Sequence, residues 1–62
     1  MILEIKKIGE NGSYIEWQIT LSNYEFAIIK RPKNEKLSEL VEKIENLKPE
    51  NNRALLILNA KL

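Results

Sequence analysis

The chain contains neither cysteine nor histidine, and that absence constrains its fold more than any motif does. Disulfides and the usual zinc sites are excluded as staples. At 62 residues, a domain buries only about 60% of the surface its unfolded chain exposes. Stability must therefore come from an efficient core or from self-association. Residues 1–62 read as a single domain, with no repeat, linker or low-complexity tract.

Two segments alternate in the way half-buried strands do. Residues 2–8 and 14–20 flank Gly9-Glu10-Asn11-Gly12-Ser13. A three-residue loop, Glu10-Asn11-Gly12, with Gly12 left-handed, pairs Lys7 with Ile15, Ile5 with Trp17 and Leu3 with Ile19. It also sets Lys6 opposite Glu16, a favourable cross-strand charge pair. A two-residue turn at Ser22-Asn23 then places Ile19 opposite Phe26 and Trp17 opposite Ile28. In this register one face carries Leu3, Ile5, Ile15, Trp17, Ile19, Leu21, Phe26 and Ile28, and it is the expected core face. The outer face carries Tyr14, Glu16, Lys6 and Arg31, with Ile8 and Ile29 among them.

Pro32 ends the third strand, because it has no N–H to donate. Asn34 is the expected helix N-cap, with Glu35 favouring the positive end of the helix. Leu37, Leu40, Val41, Ile44 and Leu47 recur on one helical face. Glu39 and Lys43 on the opposite face form a well-oriented i, i+4 pair. Lys48-Pro49 stops the helix. The apolar run Ala54 to Leu58 lacks alternation and reads as a short strand buried on both faces.

The expected fold class is therefore α+β, in the order β-β-β-α-β. A three-stranded antiparallel meander gains a C-terminal strand in sheet order 4-1-2-3, with one helix on one sheet face. That last strand is an unprotected apolar edge. Pairing through Leu55 and Ile57 with a second copy is expected to cover it, making a homodimer. The competing expectation is that Asn59-Ala60-Lys61-Leu62 folds back over it.

No residue pattern assembles a catalytic site or calls for a cofactor or metal. The commonest general base and the strongest nucleophile are missing. Both glycines are explained by the first hairpin, which leaves no phosphate-binding glycine loop. Ten basic residues against nine acidic ones argue against a coat for nucleic acid or an anionic membrane. The start, Met1 to Lys6, lacks the basic flank and apolar run of a signal peptide, so a cytoplasmic protein is expected.

Two features point to binding. Tyr14 and Arg31 with Ile8, Ile29, Glu16 and Lys6 make a mixed outer patch of the kind enriched at protein interfaces. Lys30, Arg31, Lys33 and Lys36 cluster where strand three meets the helix N-terminus, where phosphate is favoured. Trp17 faces inward by parity, so it reads as core rather than as a base-stacking platform. The leading expectation is a small non-enzymatic protein-binding module, a regulator or inhibitor of the phage or mobile-element kind, acting as a homodimer. The alternatives are nucleic-acid binding through the basic corner, and a structural subunit completing a neighbour's sheet through strand four.

Overall fold

The computed structural model describes residues 1–60. Three antiparallel strands, β1 (Ile2–Glu10), β2 (Tyr14–Leu21) and β3 (Phe26–Pro32), form a sheet in the order β1-β2-β3. The helix α1 (Leu37–Leu47) follows, then a single helical turn α2 (Asn52–Leu55) and a 3-10 turn at Leu56–Leu58. The meander and the helix after it are as the alternation and the helical spacing predict.

The last segment is not a strand. Asn51 is extended and its side-chain oxygen accepts the Ala54 N–H at 3.2 Å, which caps α2. Leu55 is fully buried, whereas Ile57 is 73% exposed, so the expected pairing edge of Leu55 and Ile57 does not exist. A five-residue apolar run fits a strand or a buried helical turn equally well, and the asparagine cap decides between them. The 4-1-2-3 order and the structural-subunit reading lose their basis with it.

The core lies under one sheet face. Ile19, Leu21, Ala27 and Ile29 from the sheet meet Leu40 and Ile44 from α1 and Leu55 from α2, all buried. Ile2, Ile5, Trp17 and Leu58 pack around them, half-buried. Val41 and Leu47 are also half-buried on the expected helical face, while Leu37 in the first turn is exposed.

Both hairpin registers differ from expectation. In the first, Ile5 lies opposite Ile19, Lys6 opposite Gln18 and Lys7 opposite Trp17. Irregularities between Ile2 and Glu4 and between Lys7 and Gly9 shift the pairing. The expected Lys6–Glu16 pair is therefore absent; Glu16 lies between Gly9 and Lys30. The loop is closed by Asn11, whose side-chain oxygen accepts the N–H groups of Ser13 at 2.7 Å and Tyr14 at 3.0 Å. Gly12 has no positive φ. An Asx turn does the work expected of the glycine.

The second hairpin is slipped by one residue, so that Ile19 faces Ala27 and Trp17 faces Ile29. Its turn has three residues: Leu21 N–H bonds Glu25 C=O at 2.8 Å, and Tyr24 takes the left-handed position at φ 68°. One residue of slip exchanges the faces of a strand. Ala27 and Ile29 consequently enter the core, while Phe26 and Ile28 turn outward. Glycine at Tyr24 should relieve a left-handed cost of roughly 1–2 kcal/mol, offset by about 0.5–1 kcal/mol of added unfolded-state freedom. Tyr24→Gly is therefore expected to raise the thermal midpoint by a few degrees; a fall would mean that the ring makes compensating contacts.

Helix α1 starts later than expected. Lys36 is its N-cap, and the Glu39 carboxylate accepts the Lys36 N–H at 3.1 Å. Asn34 does not cap it. The helix ends before Pro49 as expected, with Lys48 left-handed at φ 50°.

The tail covers a sheet edge, but that edge is β3. Lys30 N–H donates to the Asn59 side-chain oxygen at 2.7 Å, and Ala60 N–H donates to Lys30 C=O at 2.8 Å. The part of the tail expectation that concerns Lys61 and Leu62 lies outside the described residues.

Candidate functional site: the outer sheet face and the basic corner

The outer face is the sheet surface opposite the helix. Tyr14, Glu16, Gln18 and Thr20 of β2 alternate onto it, beside Phe26, Ile28 and Lys30 of β3 and Glu4 and Lys6 of β1. Phe26 is 49% exposed and Ile28 44%. Lys30 places its ammonium 4.9 Å from the centre of the Tyr14 ring, a cation–π contact that holds both side chains in place. The result is an apolar pair toward the hairpin end of the face and a braced tyrosine toward the other, with Glu16 and Lys30 between them.

Of the six residues expected in this patch, the structure brings Tyr14, Glu16 and Lys6 together on the outer face. Ile8 is exposed at the edge strand, within the irregularity between Lys7 and Gly9. Ile29 is fully buried in the core. Arg31 follows it onto the inner side, for the same one-residue reason. Lys30 and Pro32 take the places vacated beside Glu16 and Tyr14, and Phe26 and Ile28 face outward farther along β3. Tyr24 at the hairpin tip would have revealed the slip, had its need for positive φ been legible.

Arg31 serves the fold. Its guanidinium grips the Glu35 carboxylate with two bonds, Nε to Oε1 at 2.8 Å and a terminal nitrogen to Oε2 at 2.7 Å. The other terminal nitrogen donates to Leu58 C=O. Lys43 reaches the same carboxylate at 2.6 Å, which replaces its expected pairing with Glu39. The Arg31 hydrogen bonds dominate and pull the Glu35 pKa from 4.5 down to about 2, against the opposing effect of burial. Glu35 thus joins β3 to α1 directly, and to the 3-10 turn through Arg31.

The basic corner is correspondingly weakened as a phosphate site. Arg31 is neutralised by Glu35. Lys33 bridges to Glu10 at 3.0 Å, and Lys7 bridges to the same carboxylate. Those two ammonium groups hold the Glu10 carboxyl below its usual range, chiefly through the Lys7 hydrogen bond. Lys30 lies over Tyr14, and Lys36 stands exposed at the helix start.

A groove of about 380 Å³ opens between the first residues and the end of α1, lined by Met1, Ile2, Ile44, Glu45, Lys48 and Pro49. It pairs no nucleophile with a base. Among the described residues no three His, Cys, Asp or Glu side chains gather as a metal site, and no helix is long and apolar enough to cross a membrane. Neither family models, nor curated proteins, nor solved structures yield a match to this chain.

Proposed function

We propose that this chain is a small non-enzymatic module that binds another protein through its outer sheet face, in the manner of a regulator or inhibitor. The observation that carries this reading is the outer face itself: Phe26 and Ile28 half-exposed side by side toward one end of β3, and toward the other a tyrosine braced by Lys30. An aromatic side chain already held in place loses little entropy on binding, and aromatic residues are the usual anchors of interfaces. The mixed charges at the margin suit a partner with an apolar centre and a polar rim. Nucleic-acid binding through residues 30–36 is the weaker reading, since Arg31 and Lys33 already have carboxylate partners.

The test is capture from a cell lysate, with and without nuclease, using the intact chain and a Tyr14→Ala, Lys30→Ala variant. A protein retained after nuclease, whose affinity falls at least about tenfold in the variant, is the expected result. Binding unchanged in a folded variant would exclude the face. Material lost on nuclease treatment, with steep salt dependence, would favour the basic corner instead.

A further inference from the structure

The loop between β1 and β2 goes beyond that reading, because it concerns the covalent fate of the chain rather than a partner. Asn11 is the only asparagine followed by glycine, and both residues are exposed. The Asn11 side-chain oxygen accepts the N–H groups of Ser13 at 2.7 Å and Tyr14 at 3.0 Å. Two donors on a carbonyl oxygen draw charge from its carbon, and they stabilise the oxyanion that forms when that carbon is attacked. The next backbone nitrogen, that of Gly12, has no hydrogen-bond partner among the described residues, and neither has the Asn11 amide nitrogen. Gly12 also carries no Cβ to crowd an approach. A polarised carbonyl, an uncommitted nucleophile one residue on and a leaving group open to water therefore meet in one loop.

We propose that Asn11 is a self-modification site, at which the Gly12 nitrogen closes on the side-chain carbon of the folded chain and converts the asparagine to aspartate and isoaspartate. Solvent hydroxide removes the Gly12 amide proton. The nitrogen forms a bond to Cγ, the bond from Cγ to Nδ2 breaks, and ammonia leaves with a proton taken from water, which regenerates the hydroxide. The tether between the two groups makes this step intramolecular. Water then opens the cyclic imide. Breaking the nitrogen's bond to Cγ leaves aspartate; breaking its bond to the main-chain carbonyl carbon leaves isoaspartate. The charged groups at this end, Glu10, Lys7 and Lys33, bridge one another, so the base is hydroxide and not a side chain. The two products treat the loop differently. Aspartate keeps an acceptor in place for Ser13 and Tyr14, now strengthened by charge. Isoaspartate inserts a methylene into the main chain and draws the acceptor back to Cα, which removes the Asx turn that closes the hairpin. Either product takes the net charge from +1 to zero.

Peptide mapping by mass spectrometry tests this, on the intact chain held folded at pH 7 and pH 8 and on the same chain in urea. Conversion of the folded chain confined to Asn11, rising about tenfold per pH unit with the deprotonated amide, is expected. Conversion in urea alone would overturn the proposal, as would conversion spread over Asn23, Asn51 and Asn59. A Cβ at Gly12 meets nothing within 4 Å, and φ there is not positive. Gly12→Ala is therefore expected to fold, and its methyl should slow ring closure at least about tenfold. An unchanged rate in that variant would overturn the Gly12 nitrogen as nucleophile. Isoaspartate decides the same point without a variant, since direct hydrolysis by water yields aspartate only. Its absence from converted protein would overturn the cyclic step. Asn11→Asp should keep the far-UV spectrum and the thermal midpoint of the parent; loss of either would overturn the retained turn.

Discussion

Replacing Ile44 with alanine is expected to cost about 2–5 kcal/mol, a large share of the roughly 3–9 kcal/mol that a chain of this length commands. Ile44 is fully buried, and with Leu40 it is what α1 contributes to the fully buried core. It also borders the groove beside Met1 and Ile2. Water can enter from that side and partly fill the space, which places the expected loss in the lower half of the range. In a small domain each kcal/mol moves the thermal midpoint by roughly 4–8 °C, so a fall of at least about 10 °C should be seen. Leu37→Ala, on the same helical face but 48% exposed, should cost far less. Equal losses at the two positions would mean that the helix is not seated as described.

Acid should weaken the fold through Glu35, and Glu35→Gln should remove most of that sensitivity. The Glu35 carboxyl titrates at about 2 in the folded chain against 4.5 ordinarily. A depressed folded value means that the stabilisation is fully present above about pH 4.5 and is lost as the pH falls toward 2. At about 1.4 kcal/mol per pH unit, the linkage amounts to about 3 kcal/mol at neutral pH. The Glu35 side chain is only 7% exposed and that of Arg31 12%, so solvent screens the pair little. Glu35→Gln keeps the shape but leaves the guanidinium facing a neutral amide, and it should lose about 2–3 kcal/mol at pH 7. Urea midpoints at pH 7, 4.5, 3 and 2 measure both effects. The parent curve should converge on that of the variant in acid; parallel curves would remove Glu35 as the sensitive group.

Much of the architecture is legible in the residues, and the losses have distinct causes. Alternation around Ile5, Trp17 and Ile19 locates two strands and their buried face, because a half-buried strand needs that period. Leu40 and Ile44 locate the helix in the same way, and Pro49 its end. The third strand is found but read one residue out. Its turn depends on a tyrosine accepting a conformation that sequence preference assigns to glycine or asparagine. That slip sends Ile29 and Arg31 inward, and it removes two of the six residues of the expected interface while turning Phe26 and Ile28 outward. The segment after Pro49 is misread because Ala54 to Leu58 has no period to read. Its one local signal, Asn51 ahead of a helix-forming run, is weak until the side chain is seen accepting the Ala54 N–H.

Three of the contacts that hold the later segment share a single span. Asn23 to Glu50, Glu25 to Asn52 and Arg31 to Leu58 are each separated by 27 residues. They behave as teeth of one zip-fastener rather than as independent ties. The entropy of closing a loop of that length grows only slowly with its size and is met mostly at the first contact. Once the Asn23 hairpin tip finds the chain after Pro49, the others follow at little further cost, and Leu55 is carried under the sheet with them. Helix α1 lies inside the loop being closed, so its docking and the arrival of Leu55 are expected to be coupled. The meander can therefore form early as a local event. The core, by contrast, is expected to need a long-range search.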